Sequence, residues 1–206
     1  MVAVSFHNFK NKILVVGPIY DQIDKVSNHS DWFSQHELIV FNGNLCYPFT
    51  DLDQIRQRLK IMDAYLAQSK VLYNLSDHDL GLMQQLWESG EAPDIHKWLQ
   101  SKSNVVLVEF ASQTNLTITG GGIAPNMTRS DLYDNLETSF INRLEGHPWH
   151  ELYDGGCGYT IANNPLTQSR PTYYNHSMQI GTIYSPEITI YAVQVTSHGV
   201  GSIFSL

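Results

Sequence analysis

Hydrophobic and polar positions fall into two regimes along this chain. In the first half, short apolar runs alternate with longer stretches of helical period. "KILVV" (12–16), "ELIVF" (37–41) and "KVLYNL" (70–75) are compact apolar runs ending at turn residues, which predicts buried strands. "DQIDKVSNHSDWFSQ" lies between the first two and predicts a helix. Between the second and third, "DLDQIRQRLKIMDAYLAQS" carries Leu52, Ile55, Leu59, Met62 and Leu66 at spacings of three and four, the stripe of an amphipathic helix. Thr50 or Asp51 supplies its N-cap. Strand–helix–strand–helix–strand implies a parallel sheet with right-handed crossovers.

The second half is richer in strand signals. "NVVLVEF" and "LTITG" predict short strands, and "SDLYDNLETSFINRL" predicts a helix with Leu132, Leu136, Phe140 and Leu144 on its inner face. "GYTIA", "MQIGTIY", "ITIYAVQV" and "GSIFSL" predict a β-rich tail. The expected architecture is α/β: two packed mixed sheets flanked by helices, in a single domain over residues 1–206.

Bulk properties narrow the class. The chain is 42% hydrophobic and 16% charged, ordinary for a globular protein. A net charge of −8 without a basic run argues against a nucleic-acid backbone as partner. No apolar stretch approaches the ~20 residues that span a bilayer, and "MVAVSFHNFKNK" lacks the apolar core of a signal peptide. A cytoplasmic address is expected, with Cys46 and Cys157 as reduced thiols and the five Asn-x-Ser/Thr triplets unmodified. Composition leaves the oligomeric state open.

Strand ends carry the candidate chemistry, because α/β proteins place their sites at the carboxyl edge of the sheet. The relevant segments are "GPIYDQ" after the first strand, "NGNLCY" after the second, "LSDHDL" after the third, and "TGGGIAP" with "GGCGYTIANNP" in the second half. Their order and spacing resemble the calcineurin-like metallophosphoesterases, a family that includes the Ser/Thr protein phosphatases. The resemblance runs from about residue 12 to residue 195. That family reads Gly-Asp-x-His, Gly-Asp, Gly-Asn-His-Asp/Glu, a His before Gly-Gly, and Gly-His-Thr.

The glycines and strands fit the pattern, whereas most ligands do not. On the family's scheme the two ligands of the first block fall on Pro18 and Tyr20, and the metal-bridging Asp falls on Asn44. The ligand Asn falls on Asp77, the proton-donating His is retained as His78, and the two later His positions fall on Gly120 and Tyr159. Two divalent ions about 3.5–4 Å apart repel by about 17–19 kcal/mol at an effective dielectric of about 20, so anionic ligands must offset them. Asn44 is neutral, Pro18 has no donor atom and Gly120 has no side chain. The phenols of Tyr20 and Tyr159 belong to a class that ionises only near pH ~10. Asn44 and Asp77 alone offer an oxygen suited to a hard cation, and two ligands do not make a site. The resemblance therefore implies a metallophosphoesterase fold without metals or other cofactors.

Competing readings of single residues remain. Asp21, Asp24, His29, His78, Asp79, Cys157, His176 and His198 are the donors from which a rearranged metal site would be drawn. "HPWH" (147–150) has no standard ligand geometry. Cys157, flanked by glycines and without a neighbouring base, reads as packing before nucleophile. Trp32, Trp87, Trp98 and Trp149 read first as core or helix-packing residues. Two functions follow. One is a catalytically inactive relative of the phosphatases that binds or scaffolds a protein partner. The other is a weak phosphoesterase with a rearranged mononuclear site using Asp77 and His78.

Overall fold

The computed structural model describes the backbone of residues 2–6, 12–27, 30–49, 51–110, 115–132, 136–145, 158–162, 173–175, 178–180, 189–193, 195–196, 199–200 and 204–205, with side chains described within 13–145. The chain is mixed α/β. Strands β2 (Lys12–Val16), β3 (Leu38–Phe41) and β4 (Val71–Tyr73) are parallel neighbours, with Val16 opposite Phe41 and Phe41 opposite Tyr73. Strand β10 (Thr189–Val193) adds in parallel beside β2, and β13 (Phe204–Ser205) pairs antiparallel with β10. The order of this sheet is β13-β10-β2-β3-β4.

A second sheet runs β1-β5-β6-β7-β9-β8, from β1 (Val2–Phe6), β5 (Val105–Phe110), β6 (Asn115–Thr119), β7 (Gly158–Ala162), β8 (Tyr173–Asn175) and β9 (Met178–Ile180). It is mixed: β1 with β5 and β6 with β7 are parallel, and the other pairs are antiparallel. The short strands β11 (Val195–Thr196) and β12 (Gly199–Val200) pair with each other. The sequence pattern did not single out β1, β8 or β12.

Helix α3 (Leu52–Leu66) forms as its stripe predicts. Ile55, Leu59 and Met62 are buried, Leu52 and Leu66 pack at the edge, and the Asp51 carboxylate caps the first turn by accepting from the Asp53 and Gln54 amides. Helices α4 (Asp77–Ser89) and α5 (Pro93–Gln100) were not expected, yet their local signals are clear. Leu80, Met83 and Leu86 recur at a spacing of three, Gly90 closes α4 in the left-handed conformation at φ +71°, and Pro93 opens α5. "SDHD", the segment that follows the third strand, is thus the start of a helix.

Two predicted helices are corrected. "DQIDKVSNHSDWFSQ" is two short pieces, α1 (Ile23–Val26) and α2 (Trp32–Gln35). Its polar residues compete for the backbone: the Ser27 hydroxyl donates to Asp24 O and the Ser34 hydroxyl to Asp31 O. In "SDLYDNLETSFINRL" a 3₁₀ turn at Ser130–Leu132 precedes α6 (Leu136–Glu145). The expected inner face is also rotated, since Leu144 is 75% exposed while Thr138, Ser139 and Asn142 are buried. Hydrogen bonds hold that polar face, with Asn104 Nδ2 donating to Ser139 Oγ at 2.6 Å and Ala124 N to Asn142 Oδ1 at 3.2 Å. Among the tryptophans, Trp32 is core, Trp98 packs against the core, and Trp87 is 74% exposed beside His96, contrary to a packing role. Trp149 lies outside the described residues.

Candidate functional site

The three parallel strands end on one edge, and the loop after β3 ties their ends together. Asn42-Gly43-Asn44 reverses there. Gly43 sits at φ +78°, and a Cβ on it would lie 2.6 Å from Ser76 N and 2.9 Å from Asn74 O, so only glycine lets the loop approach the start of α4 this closely. Ile19 N donates to Gly43 O at 3.2 Å, which brings the "GPIYDQ" segment alongside. Asn44 follows at φ +64°, a left-handed conformation that Asn tolerates better than most residues.

Asn44 is buried and its side chain joins two elements. Oδ1 accepts the His78 N–H at 3.1 Å, in the first turn of α4, where backbone donors lack intrahelical partners. The same amide is hydrogen-bonded to the Tyr20 phenol. Burial, and then the Asp77 carboxylate, push the Tyr20 phenol above its ordinary value, so it stays protonated at neutral pH.

Beneath Asn44 lies the carboxylate of Asp79, fully buried. Its Oδ2 accepts from Asn44 N at 2.8 Å, Tyr73 Oη at 2.7 Å and Ser76 N at 3.3 Å, and its Oδ1 accepts from Cys46 N at 3.3 Å. Tyr73 Oη in turn accepts from Leu45 N at 3.1 Å. Through Ser76 N this carboxylate closes one half of a capping box on α4, and through Asn44 and Cys46 it clamps the loop after β3. Burial pushes the Asp79 carboxyl up from its ordinary value, and the donors from Tyr73, Asn44, Cys46 and Ser76 pull it partly back. Burial, and then Asp79, raise the Tyr73 phenol and the free Cys46 thiol well above their ordinary values, so neither is a nucleophile at neutral pH.

The glycine segment after β6 closes the site from the other sheet. A Cβ on Gly120 would lie 2.7 Å from both Ser76 Cα and Ser76 Oγ. A seam of buried amides makes the same junction: Asn42 Nδ2 donates to Thr119 O at 3.0 Å, while Asn74 Nδ2 donates to Asn42 Oδ1 at 2.8 Å and to Ile118 O at 3.2 Å. Each such bond contributes about 1 kcal/mol, and breaking one in a dry interior costs more.

Toward solvent the site is aromatic. His78 stacks on Tyr47 with ring centroids 4.2 Å apart, and Tyr20 and Phe49 meet both rings edge-on at 5.8–6.2 Å. Asp77 is exposed, and its Oδ2 lies 4.0 Å from His78 Nε2. Arg58 is buried and directed inward, donating to Leu45 O at 3.3 Å and Tyr47 O at 3.2 Å.

Of the residues singled out in the sequence, Tyr20, Asn44, Asp77 and His78 are brought into this one cluster. Pro18 is buried at the base of the first loop, and Gly120 abuts Ser76. Tyr159 lies in β7 opposite Leu116, and its side chain is outside the described residues. Of the other candidate donors, Asp21 and Asp24 are exposed and Asp79 is committed to the clamp, while His29, His147, His150, Cys157, His176 and His198 lie outside the described residues. Among the described residues no three His, Cys, Asp or Glu side chains are grouped to hold a metal ion. Sequence reasoning offered Asp79 only as a metal donor, not as the clamp it forms, and missed Asn42 and Asn74. The Ser76-x-x-Asp79 spacing was the available signal for the clamp.

Compared with known proteins, the chain matches no family model and has no significant match among curated proteins.

Proposed function

We propose that this chain is a metallophosphoesterase-like α/β/β/α sandwich without phosphatase chemistry, serving in the cytoplasm as a module that binds or scaffolds a protein partner. The carrying observation is Asn44. At the position of the family's bridging carboxylate stands a buried neutral amide at φ +64°, engaged by the His78 amide and the Tyr20 phenol. Gly120 adds to it, because a histidine Cβ there would overlap Ser76 at 2.7 Å. The junction of the two sheets through Asn42 and Asn74 supports the sandwich, and a free, buried Cys46 suits a reducing compartment.

The test is elemental analysis of the purified protein together with hydrolysis of an aryl phosphate with and without Mn²⁺. The expected outcome is less than stoichiometric manganese, iron or zinc and no turnover above background. One observation favours the weak phosphoesterase instead: the Asp77–His78 contact of 4.0 Å places a carboxylate beside an imidazole at the mouth of the site. Mn²⁺-dependent turnover abolished by His78→Ala would establish that second reading.

A further inference from the structure

The outer rim of the site has a chemistry of its own. Tyr47 and Phe49 remain 41% and 36% exposed although they follow a fully buried segment, and they stand among the few large apolar side chains presented to solvent within the described residues. They are held in place rather than loose. Tyr47 is stacked on His78, Phe49 is edge-on to both rings, and Arg58 ties down the Tyr47 carbonyl from below. Beside them stands the Asp77 carboxylate, half exposed and oriented by the Ser76 hydroxyl at 3.1 Å. Asp21, next to Tyr20, and Asp51, two residues after Phe49, add exposed negative charge, while the Arg58 guanidinium points inward. Fixed aromatic rings beside a carboxylate complement one kind of group: a planar cation that stacks and forks onto the carboxylate at once. A guanidinium does both, whereas an ammonium offers a point charge without the stacking plane. Phosphate-bearing surfaces meet like charge here.

We propose that Tyr47, Phe49 and Asp77 form a docking site for an arginine side chain in a basic segment of a partner protein. This rests on the reading of the chain as a binding module and specifies what it binds. Preordered rings limit the entropy lost on docking, since their rotamers are already held.

The experiment titrates the full chain with acetyl-Gly-Arg-Gly-Arg-Gly-amide at low ionic strength, followed by calorimetry and by the aromatic resonances of Tyr47 and Phe49. The expected result is saturable binding that shifts those resonances and weakens as salt is raised. Tyr47→Ala should weaken it about threefold to fivefold, Tyr47→Phe should retain it, and Asp77→Asn should weaken it about twofold to fivefold. Phe49→Ala provides the same test should Tyr47→Ala unfold. The citrulline peptide, uncharged but of the same shape, should bind at least about fivefold more weakly. Equal affinity for the citrulline or lysine peptide overturns the proposal, as does wild-type binding by both Tyr47→Ala and Asp77→Asn, or no saturable binding at all. Metal content and phosphatase activity report separately on the module reading, so the two fail by different measurements.

Discussion

At position 44 a backbone requirement meets a side-chain requirement. The residue sits at φ +64°, offers its oxygen to the His78 N–H and touches the Tyr20 phenol, while its own N–H is held by the Asp79 carboxylate. An aspartate tolerates the same φ, but its charge would be buried beside Asp79 and close to Asp77. Asn44→Asp should therefore lower stability by about 1–3 kcal/mol, a fall in Tm of about 2–4 °C per kcal/mol in a chain of this size. Scanning calorimetry with and without Mn²⁺ decides. An unchanged Tm combined with Mn²⁺-dependent stabilisation would mean the centre is open to metal after all. Asp79 makes a pH prediction. Burial raises its carboxyl in the folded chain above its ordinary value of 3.8, so the native state holds that proton more tightly than the unfolded state. Its contribution is therefore full at and below 3.8 and declines as pH rises through the folded value. Asp79→Asn removes this dependence while losing part of the clamp. The mutant should be less stable than the wild type, by a margin that is largest in acid and narrows as pH rises. Parallel urea titrations across that range measure it, and a margin that widens with pH contradicts the assignment.

Among the elements, α4 is the one that assembles the site. Its N-terminus receives the β3 loop through Asn44, the β4 end through Ser76, and the β6 end through the close approach of Gly120. That approach leaves no room for a side chain. Gly120→Ala should cost about 2 kcal/mol or more, since the neighbours of its Cβ are Ser76 Cα and the Leu75 carbonyl rather than the end of a flexible side chain. Chemical denaturation tests this, and near-neutral stability would show that the two segments can part. Restoring a histidine at 120 should fail to create a metal site for the same reason. Helix α6 shows a related rule. Its buried face is Thr138, Ser139 and Asn142 because its neighbours present polar groups, the Asn104 amide and the Ala124 N–H, and its exposed leucine costs little.

For the molecule as a whole, a −8 chain holds its acidic residues without a described group of metal donors, and its best-organised carboxylate is satisfied by four protein N–H and O–H donors. Stability should then be independent of divalent cations. Dialysis against EDTA is expected to leave Tm unchanged within about 1 °C, and re-addition of Mn²⁺ or Zn²⁺ to have no stoichiometric effect, because a metal that binds only the native state would raise Tm by mass action. A large fall on chelation would point to a structural metal held elsewhere in the chain.

Local pattern by itself determined strands β2, β3 and β4 and helix α3, because each depends on residues within a turn or a pleat of one another, and their alternation with helical segments implied the parallel order. Helix α4 was also written locally, in Leu80, Met83, Leu86 and the Ser76-x-x-Asp79 spacing, but a strand-end reading of "SDHD" obscured it. The tertiary structure decided the rest. Asn42 donates to a carbonyl 77 positions away, and Asp79 accepts from an amide 35 positions away. Neither bond leaves a period in the sequence. The inner face of α6 likewise follows what it packs against rather than its own leucines. Hydrophobic periodicity reports burial against any apolar surface, whereas a buried amide or carboxylate is tolerated only where particular distant donors and acceptors converge, and only the assembled chain brings them together.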